Sequence, residues 1–269
     1  MADIKEISKK LEEGVKEVYS SKNYLNYLAT MAKFHDYSVN NSMLIYFQKP
    51  DATLVAGYKS WQTKFNRHVK AGEKGIAIIK PCPHKMTVKK VNKDGEEEEV
   101  ERKWNSFAVT HVWDISQTEG EDLPKICKRL EGSVQNYDEL VEAVRSMTDC
   151  SIKYGDANGA NGYYDRIMNE IVVQDGMSEA QSIKTLIHEL THSILHRGDG
   201  HEKRIMEIQA ESVAYIVCNV LGIQTDSYSF EYVASWARTQ DAKALNANME
   251  TIRNTANRII DSLSQKGVC

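Results

Sequence analysis

The chain has 269 residues, 41% hydrophobic and 27% charged, a usage that excludes a disordered or fibrous polymer and leaves room for one large domain or two ordinary ones. No stretch approaches 18 uninterrupted apolar residues and MADIKEISKKLEEG carries no apolar leader core, so neither a membrane partner nor secretion is expected. Net charge is only −4, but residues 49–93 hold eleven basic side chains against Asp51 and Glu73, followed at once by the acidic run EEEEVE at 96–101.

In chain order, Ile4, Ile7, Leu11, Val15 and Val18 follow helical spacing, and further helices are expected over Tyr24–Phe34 and Met43–Phe47. After Pro50 the pattern becomes extended. Apolar or β-branched runs at Ile76–Ile79, Met86–Val91 and Phe107–Trp113, with a hairpin turn signal at Asp94-Gly95, predict a small antiparallel sheet. The polar segment 116–125 reads as the end of that unit and the start of a linker. A helix over Tyr137–Met147 then leads into short strands near Ile152, Tyr163–Tyr164 and Ile171–Val173. Four helices are predicted beyond them, at about 179–196, 203–221, 229–240 and 243–264. The expected fold is α+β in two domains: 1–125, N-terminal helices with a small antiparallel sheet, and 126–269, short antiparallel strands with helices. Five scattered cysteines without a C-x-x-C pair fit a reducing, cytoplasmic setting.

The stretch LIHELTHSILH at 186–196 carries the clearest chemistry. Ser178 with Gln181 three positions on gives a capping-box start, and Ile183, Leu186, Ile187, Leu190 and Ile194 give a core face. His188 and His192 differ by about 40° around the helix axis, so both imidazoles can reach one ion. Glu189 points to the ion's open side, where a general base belongs. One zinc per chain with a third protein ligand is expected. His196 lies too far along the helix to join the first two, and reads as support behind a ligand or as helix-end packing. His201 reads as an exposed turn residue. The helix RIMEIQAESVAY places Glu207 and Glu211 on one face, and we assign Glu207 as ligand and Glu211 as the acceptor that orients a ligand histidine. The strand at Ile171–Val173 is a candidate to pair an extended peptide, and Tyr163 or Tyr164 to donate to an oxyanion.

HELTH followed by EIQAESVA resembles the zinc metallopeptidases of the ImmA/IrrE type, which implies a zincin-like fold for 126–269, with the H-E-x-x-H helix packed among helices. SVNNSMLIYFQKPDATLVAGYKSWQ, HVKAGEKGIAIIKP and VWDISQTEG resemble the N-terminal region of ArdC-type antirestriction proteins, and YVASWARTQDAKAL is similar to that family's tail. The resemblance implies a cytoplasmic protein of a mobile element that binds single-stranded DNA and carries a zinc protease-like domain acting on a protein or peptide substrate, with Glu207 as third ligand. About the acidic hairpin 94–104 it implies little.

The residues themselves offer ingredients for single-strand binding: Trp61 as a stacking platform, with Lys59, Lys64, Arg67, Lys70, Lys74 and Lys80 around it. Trp61 with Phe65 at i, i+4 equally fits the buried side of a helix. Two functions follow: a zinc-dependent peptidase localised on single-stranded DNA, or a strand-coating protein whose metal is structural.

Overall fold

The computed structural model describes residues 4–91, 97–123, 136–198, 202–223 and 233–268, together with Gly200, Tyr228 and Phe230. The elements in order are α1 Ile4–Val18, α2 Ser21–Lys33, α3 Val39–Gln48, β1 Val55–Gly57, α4 Tyr58–Phe65, β2 Arg67–Val69, β3 Ile76–Val91, β4 Glu97–Asp114 and β5 Thr118–Gly120. There follow α5 Tyr137–Arg145, β6 Ser151–Gly155, β7 Gly162–Asp165, β8 Glu170–Gln174, α6 Glu179–Leu195, α7 Lys203–Val220, α8 Val233–Ala237 and α9 Ala242–Gln265. The fold is mixed α+β. The described residues form two compact units, one from Met1–Leu11 and Leu44–Glu121, the other from Glu12–Met43 and Asp122–Cys269. The units do not follow a single cut near residue 125.

The first unit is built on a three-stranded antiparallel sheet in the order β1-β4-β3. β3 and β4 pair continuously from Ile76↔Val112 to Val91↔Glu97, so the three separate apolar runs of the sequence are two long strands. The Asp94-Gly95 turn signal lies outside the described residues. At the base of the hairpin Val55, Ile76, Ile78, Val112 and Trp61 are buried, and the Trp61 indole N–H donates to the Trp113 carbonyl at 2.9 Å. Gln48 closes the free edge of β3 like a short extra strand, its amide giving to and taking from the Ala77 backbone at 2.9 Å each way.

The segment expected to end this unit and open a linker is structured as far as Gly120, and its residues 124 and 125 lie outside the described residues. Asp114 caps a 3-10 turn over Ile115–Gln117, and β5 pairs β2 antiparallel. Gly120 is required there, because a Cβ would sit 2.6 Å from the Asn66 carbonyl, and its φ of +137 disfavours other residues. The Asp114 carboxylate accepts from the backbone N–H groups of Thr53 at 2.7 Å, Leu54 at 3.1 Å and Ser116 at 3.0 Å.

In the second unit the sheet order is β6-β8-β7, with β6 parallel and β7 antiparallel to β8. This corrects the expected all-antiparallel pairing: the chain reverses twice between β6 and β8, once into β7 and once out of it, so β6 and β8 share a heading. α6 packs on β7, β8 and α7, and α7 in turn packs on α9 and α2. α7 is therefore the central helix, with Ala210, Val213, Ala214 and Val217 fully buried. α2 contributes Tyr24, whose hydroxyl lies 2.7 Å from Ser212 Oγ. The helix expected over 229–240 is the short α8, and residues 229, 231 and 232 of that span lie outside the described residues. Among the described residues no helix is long and apolar enough to cross a membrane.

Burial alone would raise the Asp114 carboxyl, but its donors at Thr53, Ser116 and Leu54 outweigh that and hold it below the usual carboxylate range. Asp114→Asn leaves those donors facing an amide, so a loss of about 1–3 kcal/mol is expected in urea unfolding at pH 7. Because the folded-state value is depressed, the advantage of the wild type is complete above about pH 3.9 and fades as pH falls through the lowered folded value. Equal stability of the two proteins at pH 7 would refute this account of the corner.

Candidate metal centre

The second unit brings two polar stripes together inside an apolar seam. On α6 the stripe is Lys184, His188, His192 and His196, each one four-residue step from the last. α7 runs back against it and supplies Glu211, Gln209 and Glu207. Ser178 Oγ caps the start of α6 by accepting from the Gln181 N–H at 3.3 Å. The reciprocal half of the expected capping box is absent among the described contacts, since the Gln181 amide turns to Thr185 Oγ1 at 3.3 Å.

His188 Nε2 and His192 Nε2 are 3.1 Å apart. The Glu207 carboxylate closes the cluster, with Oε2 at 3.5 Å from His188 Nε2 and Oε1 at 3.8 Å from His192 Nε2. Donors about 2.0–2.1 Å from a tetrahedral ion lie about 3.3 Å from one another, so these three residues fit a zinc-sized cation. They are the described His, Cys, Asp or Glu residues whose donor atoms converge within 4.8 Å of one another. Glu211 sits behind them. Its Oε2 is 3.1 Å from His188 Nδ1, and its Oε1 accepts from Lys184 Nζ at 2.8 Å. Glu211 thereby holds His188 with Nδ1 protonated and Nε2 turned inward. Lys184 stands outside the expected site residues, and its place one helical step before His188 is the signal in the sequence that marks it.

Electrostatics favour a cation. Burial opposes charge on His188, but the Glu207 and Glu211 carboxylates outweigh it and push its imidazole up to about 9. His192 is held down to about 4, by burial first and then by His188 beside it. One proton on His188 thus occupies the place between the two rings, and a cation there displaces it.

Glu189 faces the same space. Its carboxyl is pushed up to about 7 by burial, aided by Glu207 and opposed by His188 and a hydrogen bond from the Tyr164 backbone. β7 passes so close that a Cβ on Gly162 would meet Thr185 Cγ2 at 2.6 Å and Glu189 Cγ at 3.5 Å. A cavity of about 340 Å³ lined by Asn161, Gly162, Thr185, His188 and Glu189 opens on one side. A second, about 560 Å³ and lined by Arg204, Glu207, Ile208, Phe230 and Val233, opens on the other.

The strand and tyrosine expectations are corrected. Ile171–Val173 is the central strand, hydrogen-bonded on both edges and buried, so no peptide can add to it; the edge beside α6 is β7. Tyr163 and Tyr164 line neither cavity, and the Tyr164 hydroxyl, raised first by burial, has Cys150, Arg197, Asp149 and Arg166 as its electrostatic neighbours. His196 is buried behind His192, and His201 lies outside the described residues.

The proposed nucleic-acid residues divide in the same way. Trp61 is 0% exposed, a core residue that no base can stack on. Arg67 spends its guanidinium on Thr118 Oγ1, the Thr118 carbonyl and the Gly120 carbonyl, and so fastens β2 to β5. Lys70 Nζ donates to the Ser116 carbonyl at 2.9 Å. Lys59, Lys64, Lys74 and Lys80 are exposed. Among the described residues the exposed aromatics are Tyr58 at the start of α4 and, on the outer hairpin, Trp104 and Phe107, where Trp104 stacks on His84 at 5.4 Å between ring centroids. Period-two alternation could have marked them, but which face stays uncovered depends on how far the core extends under the strands.

Residues 3–113 match the family described as the N-terminal domain of anti-restriction factor ArdC, and residues 106–258 match the one described as "Putative metallopeptidase family (DUF6782)". An uncharacterised protein of Bacillus anthracis is 28% identical over 306 residues, which cover 98% of this chain and 52% of that protein. The chain thus spans about half the length of the curated relative it matches. Two crystal structures of the antirestriction ArdC protein from plasmid R388 share the fold. The Mn(II)-bound one has a TM-score of 0.60 at 17% identity, covering 97% of this chain and 98% of that chain. The metal-free one has 0.56 at 19%, covering 85% and 86%.

The geometry predicts graded effects on binding of zinc to the purified chain, read by competition with a chromophoric chelator. Glu211→Gln, which leaves the three converging donors in place but loosens the orientation of His188 and the pairing of Lys184, should weaken binding about 10–100-fold. Glu207→Ala should weaken it further. Wild-type affinity in Glu207→Ala would remove that residue from the ligand set.

Proposed function

Because this chain belongs to the DUF6782 metallopeptidase family and is ArdC-type, with an ArdC N-terminal domain, we propose that it is a cytoplasmic zinc-dependent peptidase that acts on single-stranded DNA's behalf in antirestriction. The observation that carries the hydrolytic half is the convergence of His188, His192 and Glu207 beside the buried Glu189. Zinc held by those three would supply a Lewis acid and lower the pKa of a water toward about 7. The residues of the chain do the rest. Glu189, raised by burial to about 7, takes a proton from water and returns it to the leaving amine. The Tyr164 N–H aims its carboxylate. β7, an edge strand among the described residues, offers backbone groups to an extended peptide at Gly162, which lines the cavity beside Glu189. The apolar surface of Ile208, Phe230 and Val233, rimmed by Lys203 and Arg204, takes a side chain. Free thiols at Cys82, Cys150 and Cys218 support the cytoplasmic setting.

For the DNA half the support lies on the outer hairpin. Cross-strand pairing puts His84 opposite Trp104 and Met86 opposite Arg102. Lys80 shares that face, and Phe107, Lys85 and Lys103 lie on the other. Such a mixture of exposed rings and cations suits base stacking with phosphate contact. The partner is single-stranded DNA, read without sequence preference.

Glu189→Gln should bind zinc as the wild type does and lose about 10²–10⁴-fold in turnover of a proteome-derived peptide library followed by mass spectrometry. Undiminished cleavage would exclude Glu189 as base; no cleavage by either protein, with DNA binding intact, would favour strand coating with a structural metal. Trp104→Ala should cost about 1–3 kcal/mol in oligonucleotide binding, whereas Trp61→Phe, a core change, should alter stability first. Binding unaffected by Trp104→Ala would place the interface elsewhere.

A further inference from the structure

Resting on the metal-site reading above, we infer that His196, Gln209, Asn248 and Tyr19 are positioning residues, a hydrogen-bond chain of fixed polarity that sets the tautomer of His192 and so presents its Nε2 lone pair to the ion. The links are continuous. His192 Nδ1 is 2.9 Å from His196 Nδ1, and His196 Nε2 is 2.9 Å from Gln209 Oε1. Gln209 Nε2 donates to Asn248 Oδ1 at 2.7 Å, Asn248 Nδ2 to the Tyr19 hydroxyl at 3.2 Å, and that hydroxyl to the Leu245 carbonyl at 2.9 Å. Tyr19, His196, Asn248 and His192 are buried.

The polarity follows from the far end. A carbonyl only accepts, so the Tyr19 proton points at Leu245, and the hydroxyl takes its second bond from Asn248. The Asn248 amide then has only its oxygen to offer Gln209, and the Gln209 amide only its oxygen to offer His196. His196 must therefore carry its proton on Nε2, which leaves Nδ1 bare in the neutral ring. His192 Nδ1–H donates to that bare nitrogen, and its Nε2 is left unprotonated, facing His188 Nε2 and Glu207. Turning both amides over would require the Tyr19 hydroxyl to abandon the Leu245 carbonyl. Burial also pushes the Tyr19 hydroxyl well above its ordinary value, so it stays a donor at every working pH.

The two ligand histidines are thus oriented by different means. Glu211, a charged acceptor backed by Lys184, serves His188. A chain of neutral groups reaching α9 and the α1–α2 joint serves His192. A neutral chain supplies direction without adding another negative charge to a cluster that already holds Glu189, Glu207 and Glu211.

The test uses the full chain labelled with ¹⁵N-histidine. Long-range ¹H–¹⁵N spectra of the metal-free protein at pH 8 should show His196 as the Nε2–H tautomer and His192 as the Nδ1–H tautomer. The opposite assignment for His196 would overturn the inference, whatever the metal does. Gln209→Met, which keeps bulk and removes the acceptor, should weaken zinc binding about 10–100-fold in chelator competition, with an unchanged circular dichroism spectrum. Gln209→Glu, which keeps the acceptor toward His196 but loses the donor to Asn248, should recover only part of that loss. A folded Gln209→Met that binds zinc like the wild type would refute the positioning role and leave the ligand assignment standing. A wild type that binds no zinc while His196 shows the expected tautomer would overturn the metal-site reading and, with it, the positioning role.

Discussion

The seam between α6 and α7 sets the terms for the second unit. Two helices that meet over apolar side chains must also bring imidazoles and carboxylates within about 3 Å of one another, in surroundings where an unpaired charge costs several kcal/mol. The structure meets this by giving the buried groups partners in series: Lys184 to Glu211, Glu211 to His188, His188 to His192 and Glu207. Removal of any one leaves its neighbour buried and unsatisfied, which is why the effects expected there exceed those of a surface ion pair. The Lys184 ammonium, 4.0 Å from the Tyr228 ring centroid, is itself covered on another side.

That seam needs a rigid frame. β7 must approach α6 closely enough to touch Glu189, and only glycine at 162 permits it. The central strand β8, buried and paired on both edges, fixes where β7 lies. On the far side α9 and the α1–α2 joint deliver Asn248 and Tyr19 to the back of the histidine row. A segment near the start of the chain thus reaches the same site as one near its end, and the polar chain joining them is ordered only if all three helices pack.

The first unit obeys a different constraint. Its hairpin is longer than the core that can cover it, so one alternation pattern has two outcomes. At the base, even-numbered positions such as Ile76 and Ile78 are buried; further out the same face carries Lys80, His84 and Met86 in the open. Asp114 and Gln117 lock the corner at which the chain leaves this hairpin, and Arg67 staples the short β2–β5 pair beyond it.

Much of this was readable from the chain alone, because it rests on local periodicity. Helices α1, α2, α6, α7 and α9 follow apolar spacing, and His188, Glu189 and His192 share a helix whose geometry fixes their relation before any packing occurs. The antiparallel return also made Glu207 and Glu211 natural partners for them. What local spacing leaves open is which edge of a strand is free, which ring is covered and what lies behind a ligand. Trp61 and Trp104 are equally aromatic in sequence, yet one is sealed under β4 and the other stands in solvent. Ile171–Val173 reads as a strand whether central or at an edge, and β6 could have paired with either heading. His196 acquires its partner from α7, and Gln209 its own from α9, 39 positions away. Contacts between distant segments are set by how whole elements fill one core, so they were decided only when the tertiary structure formed.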